Sequence, residues 1–408
     1  MAFDSWLTPT PLSGKGNGTI TNTAQTHTGR VARTTVVTVT PSVGDAKTYR
    51  VNQTASPEFI TVSGAVSVGA TDTQYTVSGK SNTAKINWKV STPGSLSPIA
   101  PSSYTANGAS ATNNVNIPGD PGADAQFNFS GVITFTANPT ISTRTGTITL
   151  TAGAGGSGLI KNIVFTQAAG VSTLSINPTS AIYAQAGEGK SVSVTTNSTW
   201  NASSNARWLT AAPSTGGSIN TTITATQHTG RSNRTGVITF TVTAGGTKTA
   251  KFNATQTAKA EFVSWAQSTY SATKSGGTVT MTGTSNSSKI TFSLKSGGSI
   301  IATIPTTYIA NSNTTNNGAA ISGDPGSTAQ FSFSIGIVIP ANITIDTKSC
   351  VIVATPNSGA AVEATINQAA GDAMLDVSPT TITLPASGTA SGHEGKVNVT
   401  SNTSWTVS

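Results

Sequence analysis

The side chains that could perform chemistry are few and widely separated. The 408 residues include 3 histidines, His27, His228 and His393, and 14 Asp and Glu residues. The histidines show no spacing typical of a metal site, and no Ser, His and Asp arrangement indicates a nucleophilic triad. The dispersed acids show no pair of the kind that glycoside hydrolysis needs. We therefore expect a protein that is not an enzyme, with no catalytic residue, metal or cofactor.

A Gly-Asp-Pro-Gly motif is the best candidate for a cation site. Asp120 in this motif lies near Asp124, but Thr328 replaces the second acid in a later copy of the motif. Calcium takes several oxygen ligands, whereas Asp-Pro-Gly mainly forms turns. We therefore predict turns here, and also at the His-Thr-Gly-Arg motifs that contain His27 and His228.

The composition favours strands joined by tight turns. Only 9% of residues are charged, against about 25% in ordinary soluble domains. The chain is rich in Thr, Ser, Asn and Gly, which suit strands and turns better than helices. The net charge of +8 is scattered, and no basic patch, long apolar run or secretion signal predicts a nucleic-acid or membrane partner. Cys350 is the single cysteine, so an internal disulfide is excluded.

An internal repeat organises the sequence. His27-Thr28-Gly29-Arg30 recurs 201 residues later as His228-Thr229-Gly230-Arg231. Gly119-Asp120-Pro121-Gly122 recurs 204 residues later as Gly323-Asp324-Pro325-Gly326. These recurrences predict two copies of a unit of about 204 residues, half of the chain.

Each unit contains a long and a short module. A glutamine followed by small residues closes each module, as at Gln53, Gln167, Gln256 and Gln368. Strands with period-2 alternation precede these ends, for example Gly146-Thr147-Ile148-Thr149-Leu150. We predict an all-β chain of four immunoglobulin-like β-sandwich modules. Its segments are a half module at 1–57, long modules at 58–169 and 258–371, a complete short module at 170–257 and a half module at 372–408.

The two ends of the sequence correspond to two halves of one short module. Trp6-Leu7-Thr8 matches Trp208-Leu209-Thr210, and Asn402-Thr403-Ser404-Trp405 matches Asn197-Ser198-Thr199-Trp200. Half a sandwich exposes apolar surface and strand edges. We therefore expect residues 1–57 and 372–408 to build a sandwich together, within one chain or between neighbouring chains. The alternative is that each end is a truncated member of a longer array.

The short module resembles the BACON family of immunoglobulin-like domains. The resemblance rests on the residues Leu174-Ser175-Ile176-Asn177-Pro178, Trp200, Trp208-Leu209, Arg234-Thr235-Gly236 and Thr255-Gln256, with a second, permuted set at the chain ends. It covers somewhat under half of the chain, and the long modules depart from it. Domains of this family occur in secreted Bacteroidetes enzymes and in virion proteins of crAss-like phages, so the resemblance implies a protein of one of these two kinds. A carbohydrate-binding role has been proposed for the family.

The expected function is that of a non-enzymatic phage virion structural protein, of the capsid-decoration or head-fibre type. Its expected partners are other virion proteins, with the major capsid protein as the first candidate, and copies of itself. The expected location is the virion. The alternative is an extracellular or cell-surface adhesion protein that binds host or mucus glycans.

Two loops and one tryptophan are the candidate contact residues. The long modules share an extra loop that contains Tyr104 and Asn107 in one copy and Tyr308 and Asn311 in the other. We expect these loops to contact a neighbouring protein, with a purely stabilising loop as the alternative. Trp265 is the candidate exposed aromatic. Six other aromatic residues are expected in sandwich cores: Trp6, Trp88, Trp200, Trp208, Phe292 and Trp405. Sugar stacking is the alternative for Trp6, Trp200, Trp208 and Trp405.

Overall fold

The computed structural model describes residues 3–153, 159–384, 386 and 394–408. Strands make up 50% of the protein and helices 2%, so the prediction of an all-β protein is confirmed. The predicted number of modules, their boundaries and the joining of the two ends stay predictions. His393 lies outside the described residues.

The N-terminal segment forms two separate hairpins. Strand β1 (Leu7–Thr10) pairs with β2 (Thr21–Ala24), and β3 (Arg33–Val39) pairs with β4 (Lys47–Gln53). Both pairs are antiparallel two-stranded sheets.

The next segment contains nine strands and one short helix. These are β5 (Ile60–Val62), β6 (Ala65–Val68), β7 (Gln74–Ser81), β8 (Ile86–Thr92), β9 (Ser103–Ala106), β10 (Ala109–Thr112), α1 (Pro121–Asp124), β11 (Phe127–Thr134), β12 (Arg144–Ala152) and β13 (Leu159–Gln167). One sheet has the order β10-β9-β11-β7-β5, and the other has the order β6-β13-β12-β8.

The middle segment also contains nine strands in two sheets. These are β14 (Leu174–Asn177), β15 (Ser180–Tyr183), β16 (Glu188–Thr196), β17 (Trp200–Ser204), β18 (Leu209–Ala212), β19 (Thr215–Gly216), β20 (Asn220–Ala225), β21 (Arg234–Val242) and β22 (Lys248–Gln256). Their orders are β14-β16-β20-β18 and β15-β22-β21-β17-β19.

The fourth segment repeats the topology of the second. Its strands are β23 (Val263–Trp265), β24 (Thr269–Ala272), β25 (Gly277–Ser285), β26 (Ile290–Leu294), β27 (Thr307–Ala310), β28 (Asn313–Asn316), β29 (Phe331–Ile339), β30 (Lys348–Pro356) and β31 (Val362–Gln368). The orders β28-β27-β29-β25-β23 and β24-β31-β30-β26 match those of the second segment strand for strand. A last hairpin pairs β32 (Leu375–Ser378) with β33 (Asn398–Ser401).

The strands divide into two compact units. The first contains residues 1–175, 195–200 and 241–249, and the second contains residues 176–194, 201–240 and 250–408. Each unit contains one of the two matching segments. In the first unit, one buried cluster contains side chains from both sheets, including Trp88, Phe129, Ile148 and Phe165. In the second unit, Phe292, Phe333 and Ile352 belong to the corresponding cluster.

Period-2 alternation explains why these strands bury one face. In β12 every second residue from Gly146 to Ala152 is buried, and the residues between them are partly exposed. Strand β21 shows the same pattern in the middle segment. Because successive side chains of a strand point to opposite faces, the Ile, Leu and Phe positions meet in the core while Thr faces outward.

A buried glutamine at the end of each complete segment ties loops to the sheet. In the middle segment, Gln256 Nε2 donates to the carbonyl oxygens of Ala184 and Thr226, each at 2.9 Å. Its Oε1 accepts from Arg234 Nε at 2.8 Å. Gln167 makes the equivalent bonds, with Arg144 as the donor to its side-chain oxygen. These contacts explain why a glutamine recurs where each segment closes.

Replacing Gln256 with leucine should destabilise the middle segment. The change removes the three hydrogen bonds of the buried amide, two to the Ala184 and Thr226 carbonyls and one from Arg234 Nε, at a cost of about 1–3 kcal/mol in the free energy of unfolding. Urea unfolding followed by circular dichroism measures this cost. Gln53→Leu is the matched control, because Gln53 is only half-buried and the same change there should cost less. Equal costs at the two positions would contradict this account of the buried amide.

Candidate functional site

The His-Thr-Gly-Arg turn and the Gly-Asp-Pro-Gly turn meet in the structure. Arg30 Nη1 donates to Asp120 Oδ1 at 2.6 Å, and Nη2 donates to the other carboxylate oxygen. Glu58 lies 3.7 Å from Arg30 Nε. The hydrogen bond with Asp120 raises the pKa of Arg30 above its ordinary value. The two motifs thus form one bidentate ion pair between residues 1–57 and residues 58–169.

Backbone contacts surround this ion pair. The Arg30 and Val31 amides donate to the carbonyl oxygens of Gly122 and Ala123, each at 3.0 Å. A Cβ atom at Gly29 would lie 2.3 Å from the Ala123 carbonyl oxygen, so only glycine permits this approach. Asp120 adopts a left-handed conformation, with φ of 43°, immediately before α1. We call this contact the Arg–Asp joint.

The Arg–Asp joint recurs in the second unit. Arg231 pairs with Asp324, and the Arg231 amide donates to the Gly326 carbonyl at 3.0 Å. A Cβ atom at Gly230 would lie 2.5 Å from the Thr328 carbonyl oxygen. A buried asparagine supports each joint: Asn82 Nδ2 donates to Thr28 O in the first, and Asn286 Nδ2 donates to Thr229 O in the second.

The sequence predicts a turn at each motif, and neither motif alone gives a sign of their pairing. Each motif is a satisfactory turn by itself, so nothing local points to a distant partner. The available signal was that both motifs recur together at nearly the same separation. The joint also occupies the carboxylate of Asp120, whose neighbour Asp124 is exposed. Among the described residues, no group of three His, Cys, Asp or Glu could hold a metal ion.

A second repeated contact involves asparagine. Asn197 Nδ2 donates to the carbonyl oxygens of Pro139 and Val171, and its Oδ1 accepts from the Thr173 amide at 2.9 Å. In the second unit, Asn402 Nδ2 donates to the carbonyl oxygens of Ile343 and Asp372, each at 2.8 Å. The Met374 amide donates to Asn402 Oδ1 at 2.8 Å. We call this contact the Asn joint.

The expected contact loops are hairpins with buried tyrosines. Strands β9 and β10 form one hairpin, and β27 and β28 form the other. Tyr104 and Tyr308 are buried in the two cores, so their rings are not available to another protein. That the loops contact a neighbouring protein stays a prediction. Asn107 and Asn311 are exposed at the hairpin tips with φ near 50°. The tips are therefore the available contact surface of these loops.

Each hairpin borders a shallow depression on the outer face of its five-stranded sheet. The larger depression has a volume of about 480 Å³, and its lining includes Trp265, Thr282, Ile309 and Ser332. The equivalent depression in the first unit has a volume of about 250 Å³, and its lining includes Ser78. The two sites thus differ in size.

Trp265 is half-buried and largely turned toward the core. Its ring packs against Phe292 and Phe333 with centroids 5.6 and 5.4 Å away. Its Nε1 donates to the Val362 carbonyl at 3.3 Å. The expectation of an exposed aromatic is therefore met only by the part of the indole that lines the depression.

The other aromatic residues divide into two groups. Trp6, Trp88, Trp200 and Phe292 are buried. Trp208 is half-buried beneath the Arg234 guanidinium, whose carbon lies 4.4 Å from the ring centroid. Burial lowers the pKa of this arginine. Trp405 is 51% exposed, so the expectation of a core position does not hold within a single chain.

Breaking the first Arg–Asp joint should loosen its backbone contacts. In Asp120→Ala, the amide hydrogens of Arg30 and Val31 should exchange with solvent about fivefold faster, which corresponds to about 1 kcal/mol for a partly exposed pair. Hydrogen exchange by NMR measures this effect. Asp372→Ala is the matched control, since Lys274 and Asp372 are far more exposed, and unchanged exchange at Arg30 in both variants would contradict the role of the ion pair.

No helix among the described residues is both long and apolar enough to span a membrane. The comparison with curated proteins gave no match. Among solved structures, similarity extends to the Bacteroides ovatus GH5 xyloglucanase, at 16% identity over 21% of this chain and 19% of that chain, with a TM-score of 0.20. The match therefore spans about a fifth of the xyloglucanase.

Two cadherin structures match over more of the chain. Drosophila N-cadherin EC1-4 matches at 9% identity over 84% of each chain, with a TM-score of 0.24. The protocadherin gammaB7 EC3-6 cis-dimer structure matches at 9% identity over 85% of this chain and 84% of that chain, with a TM-score of 0.31.

One family model matches the middle segment. It is described as the viral BACON domain, and it matches residues 173–259. This stretch contains the Leu-Ser-Ile-Asn-Pro, Trp-Leu and Arg-Thr-Gly residues that carried the resemblance in the sequence. The chain therefore carries, at residues 173–259, an immunoglobulin-like domain of the viral BACON type.

Proposed function

We propose that the chain is a non-enzymatic structural protein of a phage virion, of the capsid-decoration or head-fibre type. The observation that carries this proposal is the viral BACON match at residues 173–259. The all-β architecture supports it, because immunoglobulin-like sandwiches commonly serve as structural and binding modules.

The repeated joints suit a structural role. Each Arg–Asp joint combines an ion pair, backbone hydrogen bonds and a glycine that admits close approach. The pair of Arg30 with Asp120 is bidentate, and a bidentate arginine–carboxylate pair fixes geometry as well as adding energy. Such a joint restricts the orientation of neighbouring modules, which is useful in a protein that must hold a position on a particle.

The hairpin tips at Asn107 and Asn311 are the proposed attachment surface. Both are exposed, and both lie on hairpins whose buried tyrosines anchor them to a core. A tip held in this way presents polar groups at little entropic cost. Its proposed partner is another virion protein, with the major capsid protein as the first candidate.

The virion location can be tested with purified particles of the encoding virus. Quantitative mass spectrometry should detect the chain at a fixed ratio to the major capsid protein through successive gradient steps. Particles produced with Asn107 and Asn311 both changed to Asp should lose most of the chain. A chain that stays in the lysate and never enters particles would refute the proposed function.

A second candidate function is glycan binding, favoured by the depression beside Trp265. An aromatic edge surrounded by hydroxyl-bearing side chains suits the apolar and polar faces of a sugar. This role is compatible with a position on the virion surface or with an extracellular location.

A single substitution tests the glycan site without disturbing the core. Thr282 lines the depression and is exposed, so Thr282→Arg should fill it and reduce binding on a glycan array at least tenfold. Ser78→Arg, at the equivalent place in the smaller depression, is the matched control. Absence of array binding by the unmodified protein, or equal loss in both variants, would exclude the site.

A further inference from the structure

The C-terminal segment presents a face that the middle segment buries. Trp405 is 51% exposed and Leu384 is 49% exposed. Their counterparts in the repeat, Trp200 and Tyr183, are both 0% exposed. Residues that form a core in the complete segment therefore lie uncovered in the C-terminal one.

The N-terminal segment presents the opposite face. Val39 is 43% exposed, whereas its counterpart Phe240 is fully buried. Tyr49 is half-buried, and its counterpart Phe252 is fully buried. The part of this segment that is covered, including Trp6 and Leu7, forms a small cluster of its own.

Both end segments keep the joints of the complete segment. Arg30 and Asp120 reproduce the contact of Arg231 with Asp324, and Asn402 reproduces the joint made by Asn197. Each end is therefore folded and held against its neighbouring long segment in the manner of an internal module. Residues 1–57 reproduce the second part of the middle segment, and residues 372–408 reproduce its first part.

The complete segment shows which strand edges must meet. Strand β16 pairs with β20 in antiparallel register, with Glu188 opposite Ala225. Strand β15 pairs with β22 in parallel, with Tyr183 opposite Gln256. Strands β21 and β17 are neighbours in the same sheet as this parallel pair.

We call these three strand pairs the seams of the middle segment. In each seam, one strand corresponds to part of residues 372–408 and the other corresponds to part of residues 1–57. In the end segments, β33 corresponds to β16 and β2 corresponds to β20. Among the described residues, β33 pairs only with β32, β2 only with β1, and β4 only with β3. The edges that would form the seams are thus open, and open edges are ready to accept another strand.

The charges of the two end segments are complementary. Residues 1–57 carry five basic and two acidic side chains, a net charge of +3, whereas residues 372–408 carry one basic and three acidic side chains, a net charge of −2. Complementary charge favours pairing of unlike segments over pairing of like ones.

We propose that residues 372–408 of one chain and residues 1–57 of a second copy form one complete BACON-like sandwich. The association is head to tail, so each added copy presents a new open segment at either end. This inference goes beyond the proposed function, because it concerns self-association of the purified chain and holds whether or not the chain is found in virions.

The test uses the full chain and two single variants. Trp405→Asp places a charge in the joined core from the C-terminal side, and Val39→Asp does so from the N-terminal side. Both positions are exposed in the single chain, so neither change should disturb its folding, which circular dichroism checks. Val43→Asp is the matched control, since Val43 is 89% exposed in the β3–β4 turn and its counterpart Ala244 is also exposed.

Sedimentation at increasing concentration distinguishes the outcomes. The unmodified chain and Val43→Asp should rise above the monomer mass of 41.0 kDa, whereas Trp405→Asp and Val39→Asp should each stay at it. An equal mixture of the two monomeric variants should form a dimer and no larger species, because one open pair of segments remains between them. A monomer at every concentration, whether its ends are closed on each other or left open, would overturn the proposal, as would a mixture that fails to dimerise.

Discussion

The contact between an arginine in one turn and an aspartate in another organises this chain. Charged residues are scarce, yet the structure uses Arg30 with Asp120 and Arg231 with Asp324 at the same place in both repeats. Partly exposed ion pairs contribute only about 1 kcal/mol each. Their value here is geometric, because each pair lies beside a glycine, Gly29 or Gly230, whose backbone directly contacts the neighbouring backbone. The ion pair therefore selects one orientation that backbone hydrogen bonds then maintain.

The interior of each segment follows from simpler rules. Alternating Thr with Ile, Leu, Val or Phe gives strands with one apolar face, and two such sheets enclose a core. The closing glutamines and the buried asparagines donate hydrogen bonds to loop carbonyls, as buried polar groups generally require. In this chain with few charges, amide side chains therefore hold loops to the sheets through hydrogen bonds, a role that ion pairs can have in other proteins.

The strands were predictable from the sequence because their alternation is local, and the BACON-type segment was predictable from its motifs. The burial of Tyr104 inside a candidate contact loop was missed, although the signal for it is also local. Ser103–Ala106 is a short alternating strand in which Tyr104 and Ala106 face the core. The Asn- and Thr-rich residues around it predicted a loop instead. The joints were not predictable from either motif alone, since each forms a good turn without the other. The exposure of Trp405 could not be predicted from the repeat, because its counterpart Trp200 is fully buried.

The Arg–Asp joint also has a consequence for how such a chain can grow by gene duplication. Its two halves are encoded about 90 codons apart, one in the short segment and one in the long segment that follows. Copying a short and a long segment together carries a matched arginine and aspartate into the new copy. Copying either segment alone would leave an arginine or an aspartate without its partner. The unit that duplication preserves is therefore a pair of segments, and the chain would lengthen by two segments at a time.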